Sequence, residues 1–160
     1  FLQSEDRMQM NMLEGFGTMT EFKKVFVDTA PLIYYLERNE QYFEKMKAFF
    51  QDCCERDVDI VTSAVTYEEY LVYPYRQNKT ELIENFESFI SNMGIRIINI
   101  DKEIAREAAK LRGKYPHFKA MDALQIASAI ETACNLFLTN DKQLRQEREI
   151  LCLTLDDLVG

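Results

Sequence analysis

The feature that most constrains this chain is the regular alternation of short apolar runs with longer segments of helical period. Five runs are strand-sized: KVFVD (24–28), DIVTS (59–63), IRIINI (95–100), NLFLTND (135–141) and ILCL (150–153). Short apolar runs with polar or turn-forming neighbours suit strands buried in a sheet. Between them, apolar residues recur at three- and four-residue steps, which places them on one face of a helix. In 39–57 these are Tyr42, Phe43, Met46, Phe49, Phe50 and Cys53; in 80–93 they are Leu82, Ile83, Phe86, Phe89 and Ile90. Thr29 and Pro31 open a helix after the first run, Ser63 and Asp101 occupy capping positions, and Gly94 follows the 80–93 segment as a stop. The segment KAMDALQIASAI (119–130) is apolar enough for a buried helix. After NLFLTND come a short helix in DKQLRQ and a last edge strand. Strands that alternate with helices pack as parallel neighbours, because the helix carries the chain back across the sheet. The expected fold is therefore α/β: three α/β/α layers around a central, mostly parallel sheet of about five strands.

At 160 residues the chain holds one sizeable core and is short for two. Residues 19–160 are read as one domain, starting at the MTEFKKVFVD segment; residues 1–18 are read as a leader, whether a tag remnant, an upstream extension or a fused peptide. In the last case, Arg7, Met8, Met12 and Leu13 are the leader residues placed to engage an acidic site. The net charge of −8 argues against a protein held to nucleic acid by overall charge. It does not argue against a nuclease, where divalent cations reverse the charge of clustered carboxylates locally. The four cysteines form no CxxC pair and His117 is the single histidine, a poor donor set for structural zinc. The adjacent Cys53 and Cys54 are expected to be small buried apolar residues on a helix. No apolar run reaches the ~18 residues of a membrane span, and no signal peptide is recognisable, so a reducing cytoplasm is the expected compartment.

In open parallel sheets, ligands bind beyond the carboxyl ends of the strands, near the point where strand order reverses. Four acids fall at such ends. Asp28 closes the first strand, Glu69 lies in the first turns after the second, Asp122 begins the buried helix, and Asp141 follows LFLT. Each also has an ordinary explanation. Asp28 and Asp141 suit helix caps or turns, Asp122 suits the first turn of a helix dipole, and Glu69 has Glu68 beside it. Ser63, Thr66 and Glu69 lie at three-residue steps, which favours Glu69 over Glu68 as the inward acid. Four carboxylates gathered at one sheet end would repel one another strongly without a cation. All-oxygen donors select Mg2+ or Mn2+ over zinc, and such ions suit hydrolysis of a phosphodiester. A phosphatase using Asp28 as nucleophile would want a second acid two positions on, where this chain has Ala30.

The segments VFVDTAPLIYYLE (25–37), TSAVTYEEYL (62–71), MDALQIASAI (121–130) and FLTNDKQL (137–144), in that order, resemble the PIN domain nucleases. The resemblance spans Lys23 to about Leu158, and its size and arrangement are most similar to the VapC-type toxins of bacterial toxin–antitoxin pairs. It implies that Asp28, Glu69, Asp122 and Asp141 bind a divalent metal and cleave RNA, with Thr29, Ser63 and Thr139 as small hydroxyl-bearing positions near the site. It further implies a small antitoxin partner and a homodimer. The alternative is a catalytically silent PIN-fold scaffold that binds RNA or protein. Arg38, Arg76, Lys79, Lys114 and Lys119 are the candidate RNA-gripping cations, expected mostly in loops. Tyrosines 34, 35, 67, 70, 73 and 75 are left to either the core or a dimer surface.

Overall fold

The computed structural model describes residues 22–158, so the leader 1–18 and the readings placed on it lie outside the described residues. The elements follow the expected alternation. β1 (Lys24–Val27), α1 (Thr29–Leu36), α2 (Phe43–Glu55), β2 (Asp59–Ser63), α3 (Ala64–Arg76) and α4 (Thr80–Asn92) form the first half. β3 (Arg96–Ile98), α5 (Lys102–Lys114), α6 (Ala120–Glu131), β4 (Leu136–Thr139) and β5 (Leu151–Thr154) form the second, with short 3-10 turns at Lys142–Gln146 and Leu155–Asp157. The caps are local chemistry: the carboxylates of Asp28 and Asp101 and the hydroxyl of Ser63 accept backbone N–H groups at the starts of α1, α5 and α3. Gly94 follows α4 at φ +63, in the left-handed region where a side chain is costly.

The five strands form one sheet in the order β3-β2-β1-β4-β5, with every pairing parallel. Because side chains alternate along a strand, each strand feeds two cores. Val25, Val27, Ile60, Leu136, Leu138 and Leu153 face the layer that includes Leu32, Phe49, Phe50, Tyr70 and Phe86. Phe26, Val61, Phe137 and Cys152 face α5 and α6, where Phe26 and Phe137 stack with ring centroids 5.2 Å apart. Helices thus cover both faces, which gives the three-layer α/β/α fold. Ala123, Ala127 and Ala129 on α6 are fully buried, so this helix lies close against its neighbours.

α6 runs down the sheet from its carboxyl end to its amino end. Near its start, the Gln125 side chain meets Ser63 at the end of β2; just past its last turn, Thr132 O accepts from Nζ of Lys24 at the start of β1 (2.9 Å). The helix start, and Asp122 with it, is therefore carried to the carboxyl ends of the strands. Among the described residues, no helix is long and apolar enough to cross a membrane.

Two expectations need correction. The third strand is not 95–100 but Arg96–Ile98, because Ile98 pairs with Ser63, the last residue of β2, and no ladder partner exists beyond it. Cys53 is buried, but Cys54 is exposed. Adjacent helical residues point about 100° apart, so an amphipathic helix cannot bury both toward one core.

Candidate active site

β1 lies between β2 and β4, and the order of connection reverses there: the chain adds β2 and β3 on one side, then returns to add β4 and β5 on the other. The crevice between the carboxyl ends of β1 and β4 is the position where this class of sheet receives a ligand. Asp28 follows β1 directly, and Thr139 is the last residue of β4, two before Asp141. The strand ends are locked together here, since Asp28 N donates to Leu138 O (2.9 Å) and Thr62 Oγ1 donates to Val27 O (2.8 Å).

Asp28 is the most constrained of the acids. Its Oδ1 accepts from Thr29 N (2.9 Å) and Gln125 Nε2 (3.1 Å), and its Oδ2 from Thr139 Oγ1 (2.8 Å). A carboxylate offers about four acceptor positions. Three are taken, and the remaining one lies on Oδ2. Burial pushes the Asp28 carboxyl above the ordinary range; the three hydrogen bonds pull it back, and Asp141 pushes it further up. Asp28 is also the cap of α1, so the capping role and a site role coexist in one side chain.

Glu69 accepts from Thr29 Oγ1 (2.9 Å), and Thr29 in turn contacts Thr66 Oγ1 (3.1 Å). Desolvation raises the Glu69 carboxyl, the Thr29 hydroxyl lowers it, and the charges of Asp28 and Glu68 raise it again. It is Glu69, not its neighbour Glu68, that reaches this network.

Asp122, in the first turn of α6, is pushed up to about 6, first by burial, then by the charges of Asp28 and Asp141; Lys119 draws it back and Glu69 adds to the rise. Among the described residues, no hydrogen bond offsets this shift. Asp141 caps the 3-10 turn through Gln143 N (3.0 Å), and its own N–H donates to Thr139 Oγ1 (3.1 Å). The structure thus brings Asp28, Glu69, Asp122 and Asp141 to one end of the sheet, near enough for Asp122 to sense the other three. Thr29 and Thr139 touch acids directly, while Ser63 donates to Gln125 and caps α3 at Val65 N (3.1 Å).

The donor set fits a hard divalent cation: carboxylates only, one acceptor position left open on the otherwise saturated Asp28, and like charges held together at a cost. Among the described residues, no three His, Cys, Asp or Glu side chains already converge closely enough to hold a metal ion.

The residues that sequence reading missed are Gln125 and, as a contact, Thr66. Both are fully buried polar side chains. The available signal was Gln125 itself, a long polar side chain one helical turn after Asp122 in a mostly apolar helix. The candidate RNA-gripping cations divide. Arg76 and Lys114 end α3 and α5 rather than lying in loops, and Lys114 is paired with Glu149 (2.6 Å). Arg38 sits over the Phe43 ring at 5.4 Å and Lys79 over the Tyr73 ring at 5.1 Å. Lys119 stands immediately before α6, where its charge reaches Asp122.

Comparison with known proteins agrees with this architecture. No curated protein matches the chain in sequence. Among solved structures, FitAcB from Neisseria gonorrhoeae is similar with a TM-score of 0.67 at 22% identity, covering 84% of this chain and 99% of that one. VapBC2 from Rickettsia felis, bound to a DNA fragment from its promoter, is similar with a TM-score of 0.66 at 14% identity (82% and 98% covered). A toxin–antitoxin complex from Klebsiella pneumoniae is similar with a TM-score of 0.59 at 21% identity (82% and 97% covered). At these identities the likeness is one of fold. The sequence profile of the PIN domain matches residues 25–149, most of the chain, and with the parallel sheet in the order β3-β2-β1-β4-β5 this establishes that the protein belongs to the PIN domain family.

Proposed function

We propose that this chain is a divalent-metal-dependent endoribonuclease that hydrolyses RNA phosphodiester bonds, the toxin of a type II toxin–antitoxin pair. The observation that carries the reading is the convergence of Asp28, Glu69, Asp122 and Asp141, from four separate elements, at the switch point of the sheet. A bound Mg2+ or Mn2+ would supply activated water and neutralise charge on the phosphodiester. The protein's own part is to hold the acids. Thr29, Thr139 and Gln125 restrain two of them with hydrogen bonds, and burial concentrates their charge. Membership of a fold shared with solved toxin–antitoxin complexes supports a small antitoxin as partner. The same reading includes a homodimer, to which the exposed Tyr73, Tyr75 and Met121 would contribute apolar surface.

The test is cleavage of single-stranded RNA with Mg2+ or Mn2+. The expected result is cleavage that EDTA abolishes and that falls at least ~100-fold in Asp28→Asn and Asp122→Asn, beyond the 10–100-fold typical of residues that only support a metal site. Cleavage that survives both substitutions, or that ignores EDTA, would overturn the proposal. One observation favours a second reading, a catalytically silent scaffold for RNA or protein: the acids as placed do not form a ready-made metal site. Mn2+ titration separates the two, since a scaffold need not bind Mn2+ at these carboxylates.

A further inference from the structure

The four acids are usually weighed as separate donors, but here two of them terminate a single chain of hydrogen bonds whose direction can be read. Ser63 Oγ donates to Gln125 Oε1, and its own oxygen accepts from Val65 N (3.1 Å). With its carbonyl oxygen turned to Ser63, the Gln125 amide must present its NH2 group to the other side. There Nε2 lies 3.1 Å from Asp28 Oδ1 and 2.7 Å from Thr66 Oγ1. Flipping the amide would set its oxygen against the Asp28 carboxylate and leave the Ser63 hydroxyl facing a donor, so the network permits one orientation.

The remaining protons are then assigned in order. Thr66 accepts from Gln125, so its hydroxyl hydrogen is free to donate to Thr29 Oγ1 (3.1 Å). Thr29 donates onward to Glu69 Oε1 (2.9 Å). One arm of the chain ends on Asp28 and the other on Glu69, and the root of both is one amide. Gln125, Ser63 and Thr66 are each 1% exposed or less, so water cannot easily replace a missing donor.

We infer that Gln125 is a positioning residue that sets two site carboxylates at once: Asp28 directly, and Glu69 through the hydroxyls of Thr66 and Thr29. The inference rests on the metal-site reading of these acids and extends it to residues that touch neither metal nor substrate. It explains why a long polar side chain is buried among the mostly apolar residues of α6. Leu, Ile or Met there would leave Ser63 without its acceptor and Thr66 without its donor, and would take from Asp28 one of its three donors.

The test is Mn2+ binding to the full chain, followed by the electron paramagnetic resonance signal of free Mn2+, together with thermal melting and RNA cleavage over a range of Mn2+ concentrations. Gln125→Met keeps length and flexibility but removes the amide. Its expected effect is Mn2+ binding weakened 10–100-fold, the usual range for loss of a group that orients metal ligands. Cleavage at low Mn2+ falls in step and recovers at high Mn2+, with KM for RNA unchanged. Thr66→Val breaks the main link of the Glu69 arm, leaving only the 3.5 Å contact from Gln125 Nε2 to Thr29 Oγ1, and is expected to weaken binding less, while Thr66→Ser, which keeps the hydroxyl, regains what Thr66→Val loses. A purely structural role would lower the melting temperature and leave Mn2+ binding untouched. That result in Gln125→Met, or equal binding by Thr66→Val and Thr66→Ser should Gln125→Met fail to fold, overturns the inference while the metal-site reading stands. Failure of the unsubstituted chain to bind Mn2+ overturns both.

Discussion

At the amino end of the sheet, Asn135 Oδ1 accepts the N–H groups of Lys23 and Lys24 (2.9 and 3.1 Å), and Lys24 Nζ donates to Thr132 O at the end of α6 (2.9 Å). At the carboxyl end, Asp28, Glu69 and Asp122 all hold their carboxyls above the ordinary range. Both ends are edges of the same sheet with helix termini beside them. At one, polar groups pair donor to acceptor. At the other, anions are gathered, and only Asp28 and Glu69 among those three have neutral donors to steady them. Polar groups at the amino end therefore serve stability, whereas those at the carboxyl end oppose it. Under the proposed function, that opposition is what a bound cation would relieve.

The largest test of this contrast separates activity from stability. Asp122→Asn is expected to remove cleavage, by more than ~100-fold, while raising the melting temperature of the EDTA-treated protein at pH 7.5, because it removes a carboxylate that the fold disfavours. A variant that melts lower than the parent would break the contrast. The sign follows from linkage. With its carboxyl raised from 3.8 to about 6, Asp122 favours the fold fully below pH 3.8, and that contribution is lost as pH rises through about 6. Mn2+ binding should run the opposite way, weakening as pH falls through about 6, because protons compete for the carboxylate. A titration that is flat between pH 5 and 7 would argue that Asp122 is not a ligand.

Next in size, Thr139→Val removes the donor to Asp28 Oδ2 and the acceptor for Asp141 N with little change of shape. Cleavage should fall 10–100-fold, with most of it recovered at high Mn2+; unaltered Mn2+ dependence would show that Thr139 only packs.

Glu147 sharpens the comparison from outside the site. It is 3% exposed, its Oε2 accepts from Glu149 N (2.7 Å) and Ile150 N (3.1 Å), and its Oε1 has no partner among the described residues. Burial pushes its carboxyl up to about 7, against the pull of those two N–H groups. Its contribution to stability is therefore full below pH 4.5 and lost as pH rises through about 7. Glu147→Gln should stabilise the protein by about 1–3 kcal/mol more at pH 8 than at pH 5, read from denaturant midpoints, and should leave cleavage unchanged. A pH-independent effect would mean that the carboxyl is not buried as a neutral acid.

The smallest effect belongs to the amino end. Asn135→Ala removes the acceptor for two solvent-exposed backbone N–H groups and should cost about 1 kcal/mol, equally at pH 5 and pH 8, with cleavage by the folded protein intact. A loss of Mn2+ binding in this variant would show that the two ends are coupled.

Much of this molecule was legible in one dimension. Hydrophobic period is local, so the runs at Val25–Val27 and Leu136–Leu138 and the helical faces of α2 and α4 could be read directly, as could the caps at Asp28, Ser63 and Asp101. Asp28, Asp122 and Asp141 stood out because each lies at or near the end of an element, and Glu69 because it shares a helix face with Ser63 and Thr66. Less legible was whatever depends on which strand lies beside which. β3 stops at Ile98 because β2 stops at Ser63, and Cys54 turns outward because α2 has one core to face.

By itself, then, the sequence determined the α/β alternation and the parallel sheet, because these follow from residue type and local spacing, and it singled out four acids as candidates. Only the tertiary structure decided how two of those acids are held. Gln125 reaches Asp28 across 97 positions of sequence, and Thr29 reaches Glu69 across 40. Such contacts exist because the order β3-β2-β1-β4-β5 sets β1 between β2 and β4 and lays α6 over their ends. Strand order is a property of the packed sheet and leaves no periodic trace along the chain, so the amide that joins the two carboxylates could be found only in the folded protein.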